Sequence, residues 1–320
     1  MCRGRRYGRV KFAIISDIHG NYPALVKVVE DAKRNNVDRF IFIGDYIFDL
    51  PFSNDVVRYI SELEHADVIL GNKETYLDGL SGEDQSGWVF EQVGALHQTY
   101  RELSGSAVRY LSSLREEAYI PLASGQRIYA CHYLKGMPQH AKKDCGSSNF
   151  RKRMLACPFT HEQYLDDFRT RINQEDDKRL YHEIDASVIL MGHNHLQGFG
   201  YCGDKLVINP GSCGQPLDFD NRAAYTILEE TPSGFHVTEK RVAYDIDATI
   251  ETARKSRIYA CGTIWCELVF VAMRTGRDHF GEFFEKAAEI ASCKGEQDRF
   301  FSNETWRQTY HAFDCFRGMA

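Results

Sequence analysis

The first half of the chain alternates short apolar runs with amphipathic segments. "VKFAIIS" (10–16), "RFIFIG" (39–44) and "DVILG" (67–71) are runs of the length and composition typical of buried strands. A helical pattern follows the first run, another lies near 53–64, and a loop follows the third run. Apolar strands that alternate with amphipathic helices predict an α/β sheet covered on both faces.

The segment "NYPALVKVVEDAKRNN" is the clearest predicted helix. Asn21 can cap its first turn, and Pro23 suits a first helical turn. Its apolar residues fall on one stripe, formed by Ala24, Leu25, Val28, Val29 and Ala32. The order strand, loop, helix is therefore predicted at the start of the chain.

The middle of the chain is predicted to contain helices between 89 and 114 and an irregular, helix-containing insert at about 133–183. Strands are predicted on either side of this insert. In chain order they are 118–123, 127–131, 186–192, 205–211, 223–229 and 235–242. The last four form a second group, which we expect to be mixed or antiparallel.

From Ile246 onward the pattern is helical to the end of the chain. Its most apolar stretch, 263–273, is interrupted by Glu267 and is far shorter than the roughly 20 residues of a membrane-spanning helix. We therefore predict a domain over 1–245 and a helical C-terminal extension over 246–320. Aromatic residues of this extension are expected in its core or in a subunit contact, so an oligomer could form through these helices.

Composition and charge narrow the classes of function. The 320 residues are 43% hydrophobic and 26% charged with a net charge of −6, which is typical of a globular protein and disfavours strong nucleic-acid binding. The ten cysteines form no C-x-x-C pair, and no apolar segment of a signal peptide follows the basic N-terminus. We predict a cytoplasmic protein with reduced thiols and no membrane partner.

Polar residues stand directly after five of the predicted strands. They are Asp17 and His19, Asp45, Asn72, His132, and His193 with His195. If the strands are neighbours, these side chains converge at one edge of the sheet. Oxygen and imidazole ligands without thiolate suit Mn, Fe or Zn, with Mg as an alternative. Two such ions about 4 Å apart need a bridging carboxylate, for which Asp45 is the natural candidate.

Each of these residues also has a purely structural interpretation. A single histidine after a strand is commonly a hydrogen-bonded structural residue, and Asp17 or Asp45 could simply cap a helix. Asn72 beside Gly71 could supply a turn with positive φ. The complete ordered set is what favours a metal site.

The series "SDIHGN", "GDY", "GNKE", "CHY" and "GHNH" resembles the five-block signature of the calcineurin-like metallophosphoesterase superfamily. The stretch 208–229 resembles the YfcE-like phosphodiesterase branch, and the resemblance covers roughly 11–242. It implies a four-layer αββα sandwich of two mixed sheets with a two-metal centre. It also implies one metal on Asp17, His19 and His195, a second on Asn72, His132 and His193, and Asp45 as the bridge.

Lys73 departs from the superfamily pattern. The common block reads G-N-H-[DE], and its histidine is associated with protonation of the leaving group, whereas lysine occupies that position here. An unperturbed lysine has a pKa of about 10.4 and is a poor proton donor at neutral pH. Nearby metal ions would lower this pKa and Glu74 would oppose them. A charged Lys73 would favour leaving groups that need little protonation; the alternative is a solvated lysine on a loop.

The resemblance implies hydrolysis of phosphodiesters of small molecules or nucleotides by a metal-bridging hydroxide. One alternative is a phosphomonoesterase or Ser/Thr protein phosphatase of the same fold. Another is a metal-binding scaffold, like the retromer subunit that resembles this fold. A basic cluster in the insert could bind phosphate or form a solvated loop; it comprises His140, Lys142, Lys143, Arg151, Lys152, Arg153 and His161.

Overall fold

The computed structural model describes residues 10–134, 161–297 and 300–313, and these contain two five-stranded sheets. The strands are β1 (Lys11–Ile15), β2 (Arg39–Ile43), β3 (Ala66–Ile69), β4 (Glu117–Pro121), β5 (Arg127–Cys131), β6 (Val188–Leu190), β7 (Gln197–Cys202), β8 (Lys205–Pro210), β9 (Ala223–Thr231) and β10 (Gly234–Val242). The first sheet has the order β10-β9-β1-β2-β3, and the second has the order β4-β5-β6-β8-β7. Both sheets are mixed. In the first sheet β1, β2 and β3 pair in parallel, while β9 and β10 are joined to them by antiparallel pairs. In the second sheet the parallel pairs of β5, β6 and β8 are flanked by antiparallel pairs with β4 and β7.

Twelve α-helices accompany these strands in the described ranges. They are α1 (Tyr22–Arg34), α2 (Ser53–Ser61), α3 (Asn72–Ser81), α4 (Gly94–Glu102), α5 (Gly105–Ser112), α6 (His161–Ile172), α7 (Glu175–Glu183), α8 (Ile246–Arg254), α9 (Arg257–Cys261), α10 (Thr263–Thr275), α11 (Phe280–Lys294) and α12 (Asn303–Ala312). Short 3-10 helices at Gln85–Gly87 and Glu91–Val93 connect α3 to α4. None of the described helices has the length and apolar character needed to cross a membrane.

The two sheets face each other across an apolar layer. Strands of both sheets contribute to it, with Ile14 and Ile41 from the first and Val188 and Ile208 from the second. The outer face of the first sheet is covered by α1, α2, α3 and α5. Helices α6 and α7 cover the outer face of the second sheet, where Phe168 and Tyr181 are buried. This is the predicted four-layer αββα sandwich.

Local sequence explains the first strand–helix unit. The side chain of Asn21 caps α1 by accepting a hydrogen bond of 3.2 Å from the backbone N–H of Ala24, and Pro23 lies in the first turn. The predicted apolar stripe of this helix is fully buried against the sheet. Strand β1 is buried on both faces, because Ala13 and Ile15 belong to the helix-covered cluster and Phe12 and Ile14 pack against the second sheet.

The helices from α8 onward confirm the predicted helical C-terminal extension. Helices α10, α11 and α12 pack around Phe283 and Trp306, both fully buried, and α9 and α10 dock on α4. Backbone approaches backbone in this contact: a Cβ atom at Gly94 would lie 2.0 Å from the carbonyl oxygen of Cys261, and one at Gly262 would lie 2.5 Å from the nitrogen of Ala95. The domain boundary near residue 245 stays a prediction.

Several elements differ from the sequence expectation. Helix α3 begins at Asn72, where a loop was predicted, and β7 was not predicted at all. Strands β9 and β10, expected in a second group, complete the first sheet. Of the predicted insert, 161–183 forms the outer helical layer, while 135–160, with most of the basic cluster, lies outside the described residues.

Candidate metal centre

Seven polar side chains from both sheets meet at the carboxyl ends of five strands. They follow β1 (Asp17, His19), β2 (Asp45), β3 (Asn72), β5 (His132) and β6 (His193, His195). A continuous series of contacts between side-chain atoms, none longer than 4.0 Å, joins all seven. The structure therefore brings together every residue that the strand-end pattern singled out.

Their backbone is held in an uncommon conformation. Five of the seven have left-handed φ values between 51° and 72°: Asp17, His19, Asp45, His193 and His195. This region costs roughly 1–2 kcal/mol for most residues and is concentrated at functional sites. Backbone hydrogen bonds between the two aspartate loops maintain it, with the N–H of Asp17 donating to Gly44 and the N–H of His19 donating to Asp45.

One half of the cluster is deeply buried. The Nε2 atoms of His19 and His195 lie 3.1 Å apart. Oδ1 of Asp17 lies 3.4 Å from Nε2 of His195 and 3.9 Å from Nε2 of His19. All three side chains are buried, so this half is shielded from solvent.

The other half opens toward solvent. Oδ1 of Asn72 lies 2.8 Å from Nδ1 of His193 and 3.0 Å from Nε2 of His132. His193 is exposed, whereas His132 is buried. The cluster is therefore accessible to solvent from this side.

Asp45 lies between the two halves. Its Oδ2 atom is 3.7 Å from Nε2 of His19 and 3.5 Å from Nε2 of His132. Its Oδ1 atom accepts a hydrogen bond of 2.8 Å from the backbone N–H of Lys73. The carboxylate is thus held with one oxygen facing both halves.

The buried imidazoles are oriented through their second ring nitrogen. Nδ1 of His132 lies 2.7 Å from the carbonyl oxygen of Ile43, and Nδ1 of His195 lies 2.7 Å from that of Gln215. Nδ1 of His19 lies 2.7 Å from Oδ2 of Asp49. A proton on Nδ1 leaves the Nε2 lone pair directed into the cluster, which is the usual arrangement of metal-binding histidines.

The carboxylates and imidazoles shift the pKa values of one another. Burial alone would raise the pKa of Asp17, but His195 and His19 lower it to about 2. Burial alone would lower the pKa of His19, but the neighbouring carboxylates of Asp17 and Asp49 raise it to about 9. For His132, burial is again outweighed, here by Asp45, and the pKa rises to about 10. These imidazoles hold protons at neutral pH when no cation is present, so a cation must displace them.

Helix α3 supports the cluster through Glu74. This buried carboxylate accepts hydrogen bonds from the backbone N–H groups of Asp45 (3.0 Å), Tyr46 (2.7 Å) and Gly71 (2.8 Å). Burial, together with the charge of Asp45, raises the pKa of Glu74. The glutamate of the "GNKE" stretch therefore holds the Asp45 loop in place.

Gly71 serves a different purpose from the predicted turn. Its φ of −103° is ordinary, and Asn72 is not among the residues with positive φ, so the turn interpretation is wrong. A Cβ atom at Gly71 would lie 2.2 Å from the backbone nitrogen of Asp45 and 2.3 Å from its Oδ1. Glycine is required here because the Asp45 loop approaches so closely.

Lys73 borders the cluster without joining it. Its Nζ atom lies 3.9 Å from Oδ2 of Asp49 and 5.9 Å from the ring centroid of Tyr76, and its side chain is only 19% exposed. Burial would lower the pKa of this lysine, but the charges of Asp49 and Asp45 raise it. The alternative of a solvated loop lysine is therefore wrong.

Asp49 and Trp265 are the residues that sequence reasoning missed. Asp49 has a φ of 65° and is buried, and its Oδ1 accepts a hydrogen bond of 2.8 Å from Nε1 of Trp265 in α10. The sequence did contain a signal for Asp49, because it is a second carboxylate only four residues after Asp45, in "GDYIFD". No local signal pointed to Trp265, which lies 216 positions away.

The thiols near the cluster, Cys131 and Cys213, are buried. Burial raises the pKa of Cys131 to about 12 and that of Cys213 well above its ordinary value. The backbone of the "NPGSCG" stretch instead forms a wall, since Cys213 and Gly214 donate N–H groups to the carbonyls of Ser16 and Asp17.

The donor set fits divalent cations. Oδ1 of Asp17 is buried and accepts no hydrogen bond from the described part of the chain, although it lies within 4.0 Å of three imidazole nitrogens. Two groups of possible ligands share this residue: Asp17 with His19 and His195, and Asp17 with Asp45 and His132. A cation would supply the positive charge that these lone pairs face.

Comparisons with known proteins point to one family. The model of the calcineurin-like phosphoesterase superfamily domain matches residues 10–232. An uncharacterized protein of Methanocaldococcus jannaschii is 28% identical over 263 residues, which cover 77% of this chain and 93% of that protein.

Two solved structures share the fold. A metallophosphoesterase from Sphaerobacter thermophilus has a TM-score of 0.58 at 21% identity, covering 83% of this chain and 99% of that one. A hypothetical protein from Pyrococcus horikoshii has a TM-score of 0.54 at 16% identity, covering 80% and 97%. The family match, the fold and the strand-end residues lead to one conclusion: the chain belongs to the calcineurin-like phosphoesterase superfamily.

Proposed function

We propose that this protein is a two-metal phosphodiesterase. The main support for this proposal is the position of Asp45. Its Oδ2 atom lies between His19 of the buried half and His132 of the open half. Asp17, His19 and His195 would hold one ion, and Asn72, His132 and His193 the other, with Asp45 shared. The ions would be Mn, Fe or Zn, with Mg as an alternative.

The bound ions would supply an activated water and positive charge for the phosphate oxygens. The chain provides the rest of the arrangement. Nδ1 contacts to Ile43, Gln215 and Asp49 fix the imidazoles before substrate binds. Rigid preorganisation of this kind is a large part of catalysis by electrostatic stabilisation.

Lys73 supports a diester substrate over a monoester. The neighbouring carboxylates of Asp49 and Asp45 favour its charged form, so it offers a fixed positive charge rather than an easily transferred proton. Such a group stabilises the extra negative charge of the transition state. Substrates whose leaving groups need little protonation are therefore favoured, whether small-molecule or nucleotide phosphodiesters.

The test is hydrolysis of bis(p-nitrophenyl) phosphate and p-nitrophenyl phosphate by manganese-loaded protein. We expect a higher kcat/KM on the diester, and a loss of at least about a thousandfold in the Asp45→Asn variant, which cannot bridge. A higher kcat/KM on the monoester would assign a phosphomonoesterase instead. Stoichiometric metal without turnover on either ester would assign a scaffold.

A further inference from the structure

A cavity of about 510 Å³ opens beside the metal centre. Asp49 and Lys73 form the wall nearest the centre, and α3, α4, α10, α11 and Phe300 enclose the remainder. Its volume lies within the range of about 300–1,000 Å³ that is typical of small-molecule sites. A molecule with its phosphate at the metal centre could place another part of itself here.

The walls of this cavity are rich in flat rings. Five lining residues are aromatic or imidazole side chains: Tyr76, His97, Trp265, Phe284 and Phe300. Trp265 and Phe284 stand edge to face, with ring centroids 6.4 Å apart. Tyr76 is 43% exposed, which leaves much of its surface available to a ligand. Ring faces of this kind stack on flat heteroaromatic groups.

The lining of the cavity also includes a buried polar atom that has no partner among the described residues. His97 is only 6% exposed, and its Nδ1 atom has no hydrogen-bond partner in the described ranges. Its ring stacks on Trp88, with centroids 4.0 Å apart at 11°, so its plane is fixed. Gln92, which also lines the cavity, accepts a hydrogen bond of 3.0 Å at Oε1 from the N–H of Phe301. Buried polar groups left unpaired in a pocket select ligands that pair with them.

We propose that this cavity binds a nucleoside, as the ester group of a phosphoester whose phosphate occupies the metal centre. The nucleobase would stack among the rings and its edge would meet His97 and Gln92, while Lys73 lies on the path from base to phosphate. This inference rests on the proposed function and narrows its substrate class. It also gives the C-terminal extension a role, because Trp265, Phe284 and Phe300 belong to it.

Gly79 offers a way to fill the cavity without disturbing the metal centre. It lines the cavity on α3, one turn after Tyr76, and a Cβ atom there would meet nothing within 4 Å. Side chains on a helix lean toward its N-terminus, so a larger residue would extend toward Tyr76. Gly79→Leu is the blocking variant and Gly79→Ala is its matched control, since both substitutions favour the helix and only leucine occupies substantial volume.

The first measurement is equilibrium binding of adenosine 5′-monophosphate and of methyl phosphate to the manganese-loaded full chain. We expect the nucleotide to bind at least about tenfold more tightly in the wild type and in Gly79→Ala, as stacking on aromatic rings provides. In Gly79→Leu the ratio should fall to within about threefold, because the base is excluded. Equal affinities in the wild type, or an unchanged ratio in Gly79→Leu, would overturn the proposal.

The second measurement separates the cavity from the chemistry. It compares kcat/KM on the p-nitrophenyl esters of thymidine 5′-monophosphate and of methyl phosphate. Hydrolysis of both at equal kcat/KM, without selective nucleotide binding, rejects the nucleoside site and keeps the phosphodiesterase. Hydrolysis of neither, with nucleotide selectivity that Gly79→Leu abolishes, rejects the phosphodiesterase and keeps the site.

Discussion

Trp265 donates a hydrogen bond of 2.8 Å from Nε1 to Oδ1 of Asp49, while Oδ2 of the same carboxylate lies 2.7 Å from Nδ1 of His19. The C-terminal extension is thus joined to the metal centre through a single buried carboxylate. Partners of this kind orient a ligand and increase its basicity, and their loss typically weakens metal binding by about 10–100-fold.

We predict that Trp265→Phe weakens manganese binding by roughly tenfold, because phenylalanine retains a ring but cannot donate to Asp49. Titration of metal-stripped protein with manganese measures this. Trp306→Phe is the matched control, since Trp306 is buried in the same extension and Nε1 of its indole has no hydrogen-bond partner in the described structure. It should lower the melting temperature and leave the manganese Kd unchanged. If both substitutions changed the manganese Kd equally, the effect of Trp265→Phe would come from packing and not from the hydrogen bond to Asp49.

Gly71 and Gly82 flank α3 and provide a second matched pair. A methyl group at Gly71 would overlap the backbone of Asp45, whereas one at Gly82 would approach nothing closer than 3.9 Å. Gly71→Ala should lower the free energy of unfolding by about 1–3 kcal/mol and weaken manganese binding more than tenfold. Gly82→Ala should change that free energy by no more than about 0.5 kcal/mol. Normal metal binding by Gly71→Ala would show that the Asp45 loop can shift without consequence.

Metal affinity should depend on pH with a defined sign. In the metal-free protein the pKa of His19 is raised to about 9 and that of His132 to about 10, so both bind protons that a metal must displace. The apparent manganese affinity should therefore rise from pH 6 to pH 8, by up to about tenfold per pH unit for each proton released. His132→Gln removes one of these protons, so the manganese affinity of this variant should rise less steeply with pH. A flat profile in the wild type would contradict protonated ligands.

Lys73→His tests the role of the residue beside the centre. Histidine can transfer a proton near neutral pH, so turnover should rise most for poor leaving groups, with the alkyl-to-nitrophenyl rate ratio increasing about tenfold or more. Lys73→Gln, which removes the charge and supplies no acid, should slow all substrates alike. The check is a leaving-group series on the three proteins. An unchanged rate ratio in Lys73→His would remove Lys73 from the site of bond cleavage.

The fold and the ligand set were predictable because their signals are local in the sequence. An apolar run followed by Asp, Asn or His marks a strand end, and parallel neighbours bring such ends together. This pattern predicted that Asp17, Asp45 and His132 converge if their strands are neighbours. The resemblance to the family then implied the four-layer sandwich and the assignment of the ligands. The helix α1 was predicted in the same way, because apolar residues that recur every three to four positions indicate a helix with one buried face.

The remainder depends on contacts between distant parts of the chain. Trp265 contacts Asp49 because α10 docks beside the loop that follows β2. The sequence near either residue contains no pattern that predicts this contact. Strand β7 was missed since Gly198 and Gly200 weaken its pattern. Gly200 allows α6 to pack closely on β7, because a Cβ atom there would lie 3.0 Å from the side chain of Arg169 in α6. The environment of Lys73 likewise arises from the tertiary fold.

The most direct test of the central claim is a manganese titration of metal-stripped protein, followed by the rate of bis(p-nitrophenyl) phosphate hydrolysis. If the seven side chains form a two-metal centre bridged by Asp45, activity should be absent at the start and saturate near two equivalents of manganese. Under the same titration Asp45→Asn should stay inactive. Hydrolysis that proceeds without metal, or that persists in Asp45→Asn, would contradict the account.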